Sequence, residues 1–159
     1  MTIVNGAALR RRLKLNYYLN ENIVIRLAKT RTEFEQAFNL VYEAYLELGY
    51  QTPNEKKMRY SIHHAATTTP VIIALLNNQV IATMSIVRDS YLGLPSDKIF
   101  DLSKYRKNNR VIAEPSCLAI HKDFRQTHGS LMFPLTKYVT SYAESYLGTH
   151  GLFASVNPK

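Results

Sequence analysis

The chain has 159 residues, 46% of them apolar, and its 20 Lys and Arg against 12 Asp and Glu give a formal charge of +8. This is one domain with enough apolar residue to build a core, which excludes a disordered chain, and no apolar run reaches the roughly 20 residues that span a bilayer. The single Cys117 excludes an internal disulfide framework and fits a reducing cytoplasm, while the positive surplus favours an acidic partner: nucleic acid, a phosphorylated cofactor, an anionic membrane face or an acidic protein.

Residues 1–22 read as a basic N-terminal arm. Arg10, Arg11 and Arg12 have no apolar segment behind them, so the arm is not a secretory signal. It is either loosely ordered or a short amphipathic helix laid on the body. The domain proper is residues 23–159. Ile23 to Ala28, rich in branched residues, predicts a first strand. Thr30 then caps a helix, with Glu33 placed to complete a capping box. Phe34, Ala37, Phe38, Val41, Tyr42, Tyr45 and Leu48 share one helical face, and Gly49 stops it. The polar connection from Tyr50 to Thr69 holds Lys56, Lys57, Arg59, His63 and His64 and a short helix. Loops of this length are often functional, but adjacent histidines face different ways, so they share no metal.

Val71 to Leu76, the pair Asn77 and Asn78, and Val80 to Val87 predict a β-hairpin. Ser96 and Asp97 open a short helix from Asp97 to Lys107. Val111 to Ile120 is an apolar strand interrupted by one carboxylate, Glu114. A basic, glycine-containing turn follows, Lys122 to Ser130, then an amphipathic helix, Leu131 to Leu147, with Pro134 in its first turn. Gly148 ends that helix, and Leu152 to Val156 is a last strand. A hairpin followed by strand, helix and strand gives an α/β (α+β) domain with a mixed sheet and helices on its faces. Within it Glu114 is placed to take a proton, and the turn before the last helix offers free N–H groups to a phosphate.

This order is similar to the GNAT acyltransferase fold. There a turn of pattern Q/R-x-x-G-x-G/A after the fourth strand grips a pantetheine pyrophosphate. Here it reads Arg125-Gln126-Thr127-His128-Gly129-Ser130, with His128 at the first glycine position. Four segments resemble the FeeM-type long-chain N-acyl amino acid synthases, relatives of the acyl-homoserine-lactone synthases. They are IRLAKTRTEFEQAFNLVYEAYLELGY (Ile25 to Tyr50), TPVIIALLNNQVIATMSIVRDSYLGLP (Thr69 to Pro95), VIAEPSCLAIHKDFRQTH (Val111 to His128) and the terminal ASVNPK.

The resemblance implies a GNAT-like, mostly antiparallel sheet that lacks the family's last strands. It implies transfer of a long-chain fatty acyl group from acyl carrier protein to an amino acid's α-amine. The donor is an acyl-phosphopantetheine, on carrier protein or CoA, with no permanently bound cofactor and no metal. Glu114 matches the family's strand-four glutamate, the candidate base; the alternative is an ion pair with Arg88 or Arg110. Leu118, Ala119 and Ile120 would pair their backbone with the pantetheine arm. Arg125, His128, Gly129 and Ser130 would hold its phosphate. Tyr42 and Tyr50 match aromatic positions near the acceptor, and Arg88 and Asp89 would read it, or else pair at the surface. An acidic carrier protein suits the positive charge, with Lys122, Arg125 and Lys137 flanking the entrance.

Cys117 stands where the lactone synthases carry an arginine after E-x-S, and the loop beginning Gln51-Thr52-Pro53 lacks their acidic residues. Both departures weigh against lactone synthesis. Cys117 has no evident base to make it a nucleophile. The family continues beyond the point where Lys159 ends this chain, which implies an open sheet edge able to pair with another copy in a homodimer. Two other readings stay open: an acyl-CoA-dependent enzyme acting on another amine, and a non-catalytic module that binds carrier protein or RNA.

Overall fold

The computed structural model describes residues 22–125 and 131–155. The arm, the segment holding His128, Gly129 and Ser130, and the residues from Val156 onward lie outside that range. Strands β1 (Val24–Leu27), β2 (Val71–Leu76), β3 (Gln79–Arg88), β4 (Ile112–Ile120) and β5 (Gly151–Leu152) form one five-stranded sheet in chain order. The first four pair antiparallel, and β5 joins β4 in parallel. Helix α1 (Arg31–Glu47) covers one face and α3 (Met132–Ser145) the other, while a single turn, α2 (Lys122–Arg125), follows β4. Among the described residues no helix is long and apolar enough to cross a membrane.

Local chemistry explains most of these elements. Thr30 Oγ1 accepts from the Glu33 N–H, and Glu33 reaches back to the Thr30 N–H, so the capping box forms as expected. Glu33 also bonds Arg26 at 2.7 Å, which ties the start of α1 to β1. Asn77 and Asn78 take φ of +50° and +65°, the left-handed pair that a tight β2–β3 hairpin needs. Pro134 lies in the first turn of α3, where its missing N–H breaks no helical bond. On one side Ile72, Met84, Ile86 and Ala113 pack against Leu135, Val139 and Ala143 of α3. On the other Val71, Ile73, Leu75 and Ala119 pack against Ala37, Leu40, Val41 and Ala44 of α1.

The expected helix from Asp97 to Lys107 does not form. Three short 3₁₀ turns stand there instead, Pro95–Lys98, Ser103–Tyr105 and Lys107–Asn109. Asp101 bonds the Ser103 N–H, Asp97 bonds the Leu94 N–H, and Asn108 and Asn109 have positive φ. Such side-chain bonds to nearby backbone compete with a helix. The short helix expected between residues 50 and 69 is likewise a 3₁₀ turn, Ile62–Ala65. The last strand covers only Gly151–Leu152 rather than Leu152 to Val156. The Phe153 side chain packs against Tyr105, the rings tilted by 59° with 4.6 Å between their centres.

Between Ser85/Ser116 and Thr83/Ala119 the β3–β4 register shifts by one residue. Cys117 and Leu118 thus face Met84 alone, and Cys117 takes φ of +53°. This is a β-bulge, which kinks the strand and re-aims the groups beyond it.

Candidate active site

Glu114 faces the α1 side of the sheet and is 3% exposed. Its Oε2 accepts from the Ser96 N–H at 2.9 Å, and its Oε1 from the Ser155 hydroxyl at 2.8 Å. The two serine hydroxyls are themselves 2.7 Å apart. Neither arginine considered as an ion-pair partner binds it: Arg88 Nε donates to the Leu147 carbonyl and Arg110 to the His150 carbonyl. Buried carboxylates need partners, and here neutral donors orient the group without a cation competing for its charge. These partners lie 18 and 41 residues away in the chain. A lone serine carries no such signal in a sequence.

Beside Glu114 the sheet opens. Among the described residues β5 pairs with β4 only at Ile112 and Ala113, and the last bond between them runs from the Phe153 N–H to the Ala113 carbonyl at 2.9 Å. The Ile112 carbonyl faces β3, where it accepts from the Asp89 N–H. Alternation then turns Pro115 toward the open edge, so its missing N–H costs no ladder bond. Past the bulge the phase reverses. His121 donates to the Ile81 carbonyl of β3, so Leu118 and Ile120 turn their backbone outward and Ala119 turns toward β3. Of the three residues expected on the pantetheine arm, Leu118 and Ile120 thus face the gap, and the Ile120 carbonyl already accepts from Arg125 Nε at 2.8 Å.

On the α1 side of the same strand lies a cavity of about 600 Å³. Ser116 and Cys117 form its floor, and its walls are the 50–69 connection and the Pro95–Lys98 turn. Ser116 shares Glu114's face two residues along the strand. Arg59 lines the cavity, its guanidinium 4.7 Å above the Tyr45 ring and Nη1 bonded to Gln51 Oε1 at 2.6 Å. Lys98 lines the facing wall. His63 is buried there too, and its Nδ1 has no partner among the described residues.

His64 points elsewhere. Its Nδ1 accepts from the Ser61 N–H, which leaves the proton on Nε2 to donate to Ser85 Oγ at 3.0 Å. Burial lowers its pKa from the ordinary 6.5. Burial also pushes the Cys117 thiol up, against the pull of Ser116 and the Arg59 charge. A raised thiol is a poor nucleophile.

The other expected site residues are spread around this centre. Tyr42 is buried, and its hydroxyl accepts from the N–H of Asn54, a cavity residue. Tyr50 packs edge-on against Tyr45. Asp89 is gripped by Arg106 through Nε at 2.6 Å and Nη2 at 3.0 Å, so neither it nor Arg88 joins the cavity wall. Arg125 pairs with Glu47 at 2.8 Å beside a second hollow, of about 420 Å³, that Lys122 and His121 also line. Lys137 lies in a separate tyrosine-lined groove with Tyr138 and Tyr142. Arg59 and Lys98, which line the cavity, and Ser96 and Ser155, which hold Glu114, are candidate site residues that the sequence left unassigned. Arg59 alone had a hint, as a cation in a long connection.

Comparison with known proteins bears on the fold and the family. Residues 36–159 match the family model of the N-acyl amino acid synthase FeeM. Among solved structures the chain is similar to FeeM, an N-acyl amino acid synthase from uncultured soil microbes, at 24% identity and a TM-score of 0.70, over 86% of this chain and 72% of that one. It is also similar to a GNAT family acetyltransferase of Staphylococcus aureus, at 18% identity and a TM-score of 0.58, over 86% of this chain and 87% of that one. An aminoglycoside acetyltransferase from an uncultured soil metagenomic sample gives 12% identity and a TM-score of 0.57, over 86% and 81%. No curated protein matches the chain. The structural likenesses establish the GNAT fold, and the family model spans most of the sequence. The chain is an acyltransferase and belongs to the FeeM family of N-acyl amino acid synthases.

Proposed function

We propose that the protein transfers a long-chain acyl group from the phosphopantetheine arm of acyl carrier protein to the α-amine of an amino acid, with Glu114 as the base. One observation carries this reading. A buried carboxylate, held by neutral donors, stands immediately past the point where β5 parts from β4. The gap admits an extended thioester arm, and the outward backbone of Leu118 gives it strand-like bonds.

In the reaction the amine nitrogen attacks the thioester carbonyl carbon. The C–N bond forms and the C–S bond breaks. The amine's proton passes to Glu114, directly or through water, and is then given to the departing sulfur, so pantetheine leaves as the thiol and Glu114 is again a carboxylate. A backbone N–H at the open edge polarises the carbonyl oxygen as charge develops on it. Lys122 and Arg125, at the far end of β4, meet the phosphate of the arm, and the formal charge of +8 speeds encounter with an acidic carrier.

The test is direct. Purified protein is given acylated carrier protein or the matching acyl-CoA with a mixture of amino acids, and products are read by mass spectrometry. The expected result is N-acyl amino acid from the carrier-bound donor. Glu114→Gln should lower turnover at least about 100-fold with little change in melting temperature, since Gln can still bond Ser96 and Ser155. No amide from either donor would overturn the reading. Amide from acyl-CoA alone would remove the carrier protein from it.

A further inference from the structure

We infer that Arg59 and Lys98 form the carboxylate-reading end of the acceptor cavity, so that the enzyme selects amines that carry an acid group and rejects polycationic ones. The inference rests on the acyl-transfer reading above and names the residues that set its acceptor class.

The first ground is charge. The cavity of about 600 Å³ is lined by two cations and, among the described residues, by no carboxylate. Arg26, Arg31, Arg106 and Arg125 each have a carboxylate partner of their own. Among the described residues Arg59 and Lys98 have none, so their charge is left for an anion in the cavity. A bare ammonium entering between them would be repelled, whereas an α-amino acid brings the compensating anion with it.

The second ground is preorganisation. The backbone N–H of Arg59 is anchored to the Phe38 carbonyl of α1 at 3.0 Å, the guanidinium sits 4.7 Å over the Tyr45 ring, and neutral Gln51 takes one of its donors. A guanidinium has five N–H donors in a planar fork, so donors remain for a bidentate carboxylate. Its orientation is already set, which lowers the ordering cost of binding. The third ground is position. The donor's arm takes the β4 edge, and its phosphate end takes the Lys122 and Arg125 hollow at the end of β4. The Arg59 cavity opens instead on the face of β4 that carries Ser116 and Glu114, so a carboxylate held at the wall leaves the amine to reach the strand.

Two readouts keep this inference separable from the reading it rests on. Acyl transfer is measured to L-phenylalanine and to 2-phenylethylamine, which differ only by the carboxylate, and to an aminoglycoside. Binding of L-phenylalanine is measured by calorimetry without donor. The parent should prefer phenylalanine and leave the aminoglycoside unacylated. Arg59→Ala and Lys98→Met should each raise the phenylalanine KM and Kd about ten- to a hundredfold, the worth of a charge-assisted hydrogen bond. The KM for the acyl donor should not move, and the preference over phenylethylamine should collapse. Arg59→Lys should recover part of the affinity, since it keeps the charge and loses the fork. Lys98 makes no side-chain hydrogen bond or ion pair that folding depends on, so Lys98→Met tests the idea even if Arg59→Ala folds poorly. A parent that prefers phenylalanine while both variants keep that preference overturns the inference and leaves the acyl-transfer reading intact. A parent that makes no amide yet binds phenylalanine through these two cations does the reverse.

Discussion

The two faces of β3 and β4 are both buried, and they differ in polar content. Toward α3 the strands present Ala82, Met84, Ile86 and Ala113, all apolar. Toward α1 and the connecting turns they present, beside the apolar Val80, Val87 and Ala119, the polar Thr83, Ser85 and Glu114, at 1%, 1% and 3% exposure. Burial alone therefore does not separate core from site here; polar content at equal burial does. Each of the three polar side chains is satisfied by a different part of the chain: Thr83 by the Ile72 carbonyl, Ser85 by His64, and Glu114 by Ser96 and Ser155. An unsatisfied group at such depth costs about 1–3 kcal/mol. Thr83 is met by strand β2 itself, whereas Ser85 and Glu114 are satisfied only because irregular connections bring His64, Ser96 and Ser155 to them.

The contrast predicts separable losses. Leu135 is fully buried on the α3 face. Leu135→Ala should lower unfolding free energy by about 2–5 kcal/mol, read by urea denaturation, and leave turnover per folded molecule near the parent's. Lost turnover in the folded fraction would mean that the α3 face is part of the catalytic machinery. Ser155→Ala, on the other face, removes one donor from Glu114. It should cost about 1–3 kcal/mol and lower turnover as well, because the carboxylate loses one of its two fixed bonds. Ser155→Thr keeps the hydroxyl and should restore both. An alanine variant with parental turnover would show that Ser155 serves folding alone.

The same contrast explains what the sequence could and could not reveal. Elements governed by neighbours along the chain were legible: the Thr30 and Glu33 capping box, the Asn77 and Asn78 turn, and Pro134 at the start of α3. Glu114 was legible as a lone acid in an apolar strand. Its partners were not, because Ser96 and Ser155 act by position in space. The segment from residue 97 to 107 misled through its start signal, since Asp97 caps a turn and binds Arg106 rather than opening a helix. Arg88 and Asp89 were chosen by alignment to a motif, and their side chains are directed to Leu147 and Arg106. The bulge at Cys117, which decides which of Leu118, Ala119 and Ile120 face the gap, depends on register with β3, and one strand's sequence does not state its register.

Arg125 offers a smaller test at the rim of the site. Its ion pair with Glu47 is partly solvated, so Arg125→Ala should change stability by less than about 1 kcal/mol. Binding of holo-carrier protein should weaken about tenfold or more, as expected for a hydrogen bond to a charged group. Carrier protein lacking the pantetheine arm should bind parent and variant alike. If the variant binds holo-carrier as the parent does, the phosphate is held elsewhere.

The smallest effects are in pH, and they divide the α1 face into two windows. His64 is kept neutral by burial, so its folded pKa lies below the ordinary 6.5. As pH falls through that value the unfolded chain takes up the proton first, and stability declines. Protonation at Nδ1 would also break the bond from the Ser61 N–H. Glu33 behaves differently. The bonds from Arg26 and from the Lys29 N–H hold its carboxylate down to about 2, from an ordinary 4.5. Its contribution is complete above pH 4.5 and is lost only as pH falls toward 2. Denaturation midpoints from pH 7.5 down to about 2 should therefore fall in two stages, the first beginning near the histidine range and the second near the carboxylate range. His64→Gln should flatten the first stage, and Arg26→Met the second, each leaving the other in place. His64 lies against the polar face itself, whereas Glu33 fastens the helix that covers it. A parent midpoint that stays level as pH falls below the histidine range would mean that His64 titrates alike in both states, and that Ser85 is not held by a neutral ring.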